Sequence, residues 1–137
     1  MKRPLAWYHL SRLNELVTSA SICRVVVDRH LFEAHEIEQA AAADRATAEE
    51  IQALARERGW TLPEPKTYEW GLVTGQVVAL PRIMRVLARD VAELDEFYRE
   101  CDDETVASLV AQVLEDRRAL LRSLELKVPS YTVPGAK

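Results

Sequence analysis

Side chains that bind metal ions in proteins cluster in one short segment of the chain. On a helix, His30 and Glu33 would share one face, with His35 and Glu36 close by in sequence. Imidazole and carboxylate ligands at such spacing can hold zinc or another transition metal. A polar turn or helix start accounts for the same residues, so we expect no bound metal. If a metal is present, His30, Glu33 and His35 are the predicted ligands.

A single arginine interrupts an apolar helical pattern near the C-terminal end of the chain. A guanidinium buried without a partner is too costly to keep, so Arg117 must pair with a carboxylate or extend its head to solvent. Asp44 and Asp90 are the two candidate partners, and a pair with either would form a buried polar layer. The pattern that Arg117 interrupts consists of Val106, Val110, Val113, Leu120 and Leu124.

Three arginines share one face of another helical segment, at Arg82, Arg85 and Arg89. They lie in the N-terminal half of that segment, and acidic residues fill its C-terminal half, so both sets of charges oppose the helix dipole. A solvated face would show the same residues. Alternatively, the charges of a binding partner compensate these unfavourable charges, and the three arginines are then a predicted partner surface.

The remaining composition excludes several classes of function. Lys and Arg total 18 against 22 Asp and Glu, a net charge of −4, so we expect no nucleic-acid binding. The chain contains no Gly-x-Ser-x-Gly motif, P-loop or glycine-rich dinucleotide turn, which argues against an enzyme. Cys23 and Cys101 are too few for a disulfide framework. We expect neither a signal peptide nor a membrane span, hence a cytoplasmic protein of bacterial type.

The first half of the chain reads as two long helices. No Gly or Pro occurs from Leu5 to Arg58, and apolar residues recur at helical spacing. A break is needed, and residues 18–21, 28–31 and 44–47 are the candidates. We prefer 28–31 because it yields helices of similar length, 5–28 and 31–58. Gly59 is predicted as the residue that terminates the second helix.

Two further helices and a tail complete the predicted single domain. The third helix is expected over 68–101, where Pro81 either begins the helix or kinks it, and the fourth over 103–126. Residues 128–137 contain two prolines and a glycine and read as an extended tail. The predicted fold class is therefore all-α, an up-down-up-down four-helix bundle spanning 1–127.

The layout of these helices resembles the ferritin-like superfamily. Residues 42–59 are similar to the end of the second helix of small bacterial ferritin-like domains of unknown function, and residues 89–125 are similar in layout to their last two helices. Di-iron members of that superfamily carry Glu-x-x-His on two helices. That motif is absent here, because 115–118 reads Glu-Asp-Arg-Arg and no Glu precedes His9, His30 or His35 by three residues. The resemblance implies the fold without di-iron chemistry, and no cofactor.

These observations favour a noncatalytic bundle that acts through self-association or a protein partner. Trp7 and Tyr8 at one terminus should pack on the bundle or on a second copy, as should Val128, Tyr131 and Val133 at the other. A homodimer is the preferred state. The alternative function is an oxidoreductase-like protein that binds a metal or small ligand at a nonstandard site between the helices.

Overall fold

The computed structural model describes residues 3–18, 24–27, 30–33, 35–64 and 77–127. The prediction that four α-helices form the body of the chain is confirmed, and none of the described helices is long and apolar enough to cross a membrane. In chain order the elements are α1 (Leu5–Thr18), β1 (Arg24–Val27), β2 (His30–Glu33), α2 (His35–Glu57), β3 (Val77–Ala79), α3 (Leu80–Glu100) and α4 (Glu104–Lys127).

Three short strands, which were not predicted from the sequence, form a small sheet in the order β2-β1-β3. β1 pairs with β2 in antiparallel register, with Val25 opposite Phe32, and with β3 in parallel register, with Val25 opposite Val78. β1 contains three consecutive valines, whose branched side chains favour strands over helices. The predicted helix 5–28 is therefore wrong over 24–27, where strand pairing overrides the helical repeat, while 19–23 and 28 lie outside the described residues.

The other predicted boundaries need smaller corrections. The preferred break at 28–31 is wrong, since α1 has already ended at Thr18 and α2 begins at His35 rather than residue 31. The third helix begins at Leu80, because 77–79 form β3, and residues 68–76 of the prediction lie outside the described residues. Pro81 therefore lies in the first turn of α3, which is one of the two predicted alternatives. The predicted helix 103–126 is shifted by one residue. The predicted tail, 128–137, lies outside the described residues.

Helix α2 ends as its sequence predicts, in a turn that only glycine adopts without strain. Gly59 has a φ of 69°. Its amide donates to the carbonyl of Arg56 at 3.1 Å, and the Trp60 amide donates to the carbonyl of Ala55 at 2.8 Å, the two bonds of a Schellman motif. The turn directs Trp60 and Leu62 back onto the core, against which both pack.

The start of α4 is joined to the end of α2 by one carboxylate. Oδ1 of Asp103 accepts hydrogen bonds from the backbone amides of Thr105 at 3.0 Å and Val106 at 3.1 Å, so Asp103 is the N-cap of α4. The same carboxylate accepts hydrogen bonds from both Nη atoms of Arg58, at 2.6 and 3.2 Å. Asp103 therefore caps one helix and fixes the C-terminal end of another.

The core lies between the apolar faces of the four helices, with α1 against α2, α2 against α4 and α3 against α4. Trp7 belongs to it, and its indole nitrogen donates to the Thr61 carbonyl at 3.2 Å, whereas Tyr8 is half exposed. Trp7 thus packs against the helical core of its own chain. The largest fully buried apolar side chains are Leu10, Leu13, Leu16, Ile51, Ile83, Leu87 and Leu94.

The backbone at Gly59 predicts a graded response to substitution. Gly59→Ala should destabilise the protein by about 1–2 kcal/mol, because an alanine in the left-handed region brings Cβ against the following carbonyl. Gly59→Asn should cost less, since asparagine tolerates this conformation. Urea denaturation of both variants measures the difference. Equal stability of the wild type and Gly59→Ala would contradict the assigned turn.

The Asp103 contacts predict a specific dependence of stability on pH. The hydrogen bonds from Arg58 lower the pKa of the Asp103 carboxyl, and the amides of α4 add to that effect. A lowered folded-state pKa contributes stability that is present above about pH 3.9, the ordinary aspartate value, and is lost as the pH falls through the folded value. Asp103→Asn should therefore flatten the stability profile in this acidic range, while Asp102→Asn should leave it unchanged. Chemical denaturation at several pH values provides the measurement.

Candidate functional site

The largest fully buried side chain in the described structure is an arginine. Arg117 lies on α4 with an exposed fraction of 0%, among core leucines and valines. Its Nη1 donates to Oδ1 of Asp44 at 3.0 Å and its Nη2 donates to Oδ2 of the same residue at 2.8 Å. Asp44 lies on α2 and is 2% exposed. The two planar groups form a bidentate ion pair, the geometry in which arginine binds carboxylates most strongly.

A backbone carbonyl supplies a third acceptor for the guanidinium. Nη2 of Arg117 also donates to the carbonyl of Leu16 at 3.1 Å. Leu16 belongs to the last turn of α1, where carbonyls have no amide donor within the helix. Arg117 therefore provides a donor for the end of α1 while it pairs with α2, so one side chain connects three helices.

Burial and the neighbouring guanidinium shift the pKa of the Asp44 carboxyl in opposite directions. Burial raises the pKa of Asp44 above its ordinary value, and the charge and hydrogen bonds of Arg117 oppose that rise. Asp116, the residue before Arg117, adds a smaller upward contribution to the same pKa through its negative charge. The guanidinium thus favours the ionised carboxylate in a site whose low polarity disfavours any charge.

Asp90, the other candidate partner, is also completely buried, with an exposed fraction of 0% on α3. The guanidinium of Arg89, half exposed at the surface, lies 3.6 Å from its Oδ1. The structure thus places all three residues of the predicted polar layer in the interior and brings Arg117 and Asp44 into direct contact.

Two smaller polar contacts were missed by the sequence analysis. Asn14 is 1% exposed, and its Oδ1 lies 3.5 Å from Nε2 of Gln52, a contact between α1 and α2. Thr47 is equally buried, and its hydroxyl oxygen accepts a hydrogen bond from Nε2 of Gln112 at 3.2 Å. The same hydroxyl donates to the Ala43 carbonyl one turn earlier in α2. Thr47 therefore does not begin a helix, although its sequence context resembles a capping box.

The predicted metal ligands do not share a helix. His30 and Glu33 are the first and last residues of β2, and His35 is the first residue of α2. The argument that His30 and Glu33 share a helical face is consequently wrong, because both residues belong to a strand. Within the ranges that the structure describes, no group of three or more His, Cys, Asp or Glu residues could hold a metal ion.

The predicted partner surface lies on the outside of the molecule. Arg82, Arg85 and Arg89 are all exposed on α3. Toward the other end of that helix, Glu93 binds Arg12 of α1 through two contacts of 2.7 and 3.0 Å. Arg82 and Arg85 are thus exposed, Arg89 is exposed with its guanidinium 3.6 Å from Asp90, and part of the acidic half is used inside the chain.

No family model, curated protein or solved structure matches this chain. The interpretation of the site therefore depends on the geometry and chemistry of its own residues.

The buried pair predicts strong coupling between two substitutions. Arg117→Met and Asp44→Leu should each destabilise the protein by about 3–5 kcal/mol, because each leaves a buried charge without its partner. The double variant should recover much of that loss. Arg118→Met, which changes a partly exposed arginine on the same helix, is the matched control and should cost little. Additive losses in a denaturant cycle would contradict the pair.

The two single variants should also differ in their response to pH. In Arg117→Met the guanidinium no longer opposes the raised pKa of Asp44. Stability should then be retained at about pH 4, the ordinary aspartate pKa, and lost as the pH rises, because a raised carboxyl pKa favours the folded state only while the group is protonated. In Asp44→Leu this carboxyl is absent, so the loss of stability should not change between about pH 4 and pH 8. Parallel profiles for the two variants would contradict this assignment.

Proposed function

We propose that the chain is a noncatalytic, ferritin-like bundle with its helices in up-down-up-down order. In this proposal it acts through its surface, by self-association or by binding a protein partner. The observation that carries the proposal is the Arg117–Asp44 pair, which occupies the interior between the helices with a fixed positive charge. In di-iron members of the superfamily, metal ions are held by side chains that project into the bundle core.

The electrostatics of this interior disfavour a metal ion. Both oxygens of Asp44 already accept hydrogen bonds from Arg117. Because the Arg117–Asp44 pair is neutral overall, the attraction of the carboxylate for a divalent cation is offset by the repulsion from the guanidinium. The residue types that replace Glu-x-x-His support the same conclusion, since Glu115 and Arg118 bond to each other at 3.3 Å on the outer surface.

The alternative function, an oxidoreductase-like protein with a nonstandard site, would require a ligand elsewhere between the helices. A groove of about 540 Å³ between α1 and α2 supports this candidate, because the amides of Asn14 and Gln52 line it together with Glu49 and Arg56. Such a groove could take a small polar ligand. We prefer the noncatalytic function because the buried charges of the interior are already paired.

The metal content of the purified protein tests the proposal. After incubation with excess Fe²⁺, Mn²⁺ or Zn²⁺ and dialysis, we expect less than about 0.2 metal ions per chain, because the interior offers a guanidinium where ligands would be needed. Absorption in the visible range should be absent. Stoichiometric metal that survives dialysis would contradict the proposed function and favour the alternative. His30→Ala, Glu33→Ala and His35→Ala would then show whether these residues bind it.

A further inference from the structure

The outer face of α3 carries its charges in two blocks. We define this outer face by Arg82 and Arg85 in the first half and by Glu96 and Glu100 in the second half, all of which are exposed. Arg82 and Glu100 lie about five helical turns apart and Arg85 and Glu96 about three, so the four side chains form one stripe along the helix. The stripe is basic at its N-terminal end and acidic at its C-terminal end.

This order of charges has little compensation inside the chain. In the described parts of the structure, Arg82, Arg85 and Glu96 form no ion pair, and Oε2 of Glu100 lies 3.7 Å from Nε2 of His9. Asp95, on the neighbouring side of α3, pairs with Arg99 at 3.4 Å. Cations near a helix N-terminus and anions near its C-terminus are both unfavourable to the helix dipole. A neighbour with the opposite charge order along this stripe would compensate both blocks at once.

We propose that two copies of the chain associate through this outer face, with their α3 helices antiparallel about a two-fold axis. This inference rests on the self-association in the proposed function and adds the surface that mediates it. Arg82 then faces Glu100 of the partner subunit, and Arg85 faces Glu96 of the partner subunit. Because a two-fold interface uses the same patch on both copies, each pair occurs twice.

The spacing of the charges fits a single axis. The midpoint between Arg82 and Glu100 is residue 91, and the midpoint between Arg85 and Glu96 falls between residues 90 and 91. One two-fold axis near residue 91 therefore serves both pairs within a fraction of the 1.5 Å rise per residue. Ala88 and Ala92 are exposed close to this axis, and Arg89, which is exposed on the same face, lies between them.

A second copy fits this face better than an unrelated acidic protein does. An acidic partner would attract the arginines and be repelled by Glu96 and Glu100 on the same stripe. When two copies of the stripe lie antiparallel, the basic end of each copy faces the acidic end of the other. A closed two-fold contact requires this kind of self-complementary surface. Since the pairs lie at the surface, the association should weaken as salt increases.

Charge reversal and mixing test this proposal by sedimentation velocity. The wild type at tens of micromolar in low salt should be a dimer. The stripe should be entirely acidic in R82E/R85E and entirely basic in E96R/E100R. The dissociation constant of each variant's homodimer should be at least about tenfold higher than that of the wild type. An equimolar mixture of the two should form heterodimers, and R82E/R85E/E96R/E100R, which reverses the order of charges, should dimerise as the wild type does.

The matched control reverses two exposed arginines on another helix. R45E/R56E changes net charge by the same amount as R82E/R85E and should leave dimerisation unchanged. Circular dichroism melts establish that every variant is folded. A monomeric wild type, a dimer insensitive to the reversals, or a mixture that stays monomeric would overturn the proposal. A preference of the wild type for an acidic protein over its own copy would also overturn it. None of these outcomes alters the metal content that tests the proposed function.

Discussion

The helical body of the protein depends on a guanidinium that cannot reach water. Once α4 packs with Arg117 inward, the folded state requires acceptors at fixed positions, and Asp44 and the carbonyl of Leu16 provide them at 2.8–3.1 Å. Sliding any one of the three helices by a turn, about 5.4 Å, would separate donors from acceptors. Leucine contacts tolerate such shifts far better than a bidentate pair does. The pair therefore specifies the register of α1, α2 and α4 more than it increases overall stability.

Local signals in the sequence predicted the features that depend on few neighbours. The helix end at Gly59 and the acidic start of α4 at Asp103 follow from backbone conformation and capping, which short segments determine. Arg117 stood out because it occupies a position of the apolar repeat, and Asp44 was a candidate because it lies at a similar height. The Leu16 carbonyl could not be predicted, since every residue carries one and only tertiary packing selects it.

The errors lie where tertiary pairing competes with local propensity. The segment from Arg24 to Glu33 continues the helical repeat, yet its valines pair with β2 and β3 instead. A parallel partner such as β3 lies far away in sequence, so no local pattern reveals it. The same misreading placed His30 and Glu33 on a common helical face. Arg117 and Asp44, by contrast, lie on helices that the sequence predicted, and their side chains are in direct contact.

In the interior of this architecture, the charges of Arg117 and Asp44 connect α1, α2 and α4. Nitrogen-15 NMR of the arginine side chains tests that pair most directly. A guanidinium that is buried and bonded to Asp44 and Leu16 should give Arg117 Nη protons that are resolved and exchange slowly with water, in contrast to those of partly exposed Arg118. In Asp44→Asn the Arg117 signals should shift and their exchange should accelerate. Arg117 protons that exchange as fast as those of Arg118 in the wild type would contradict the account.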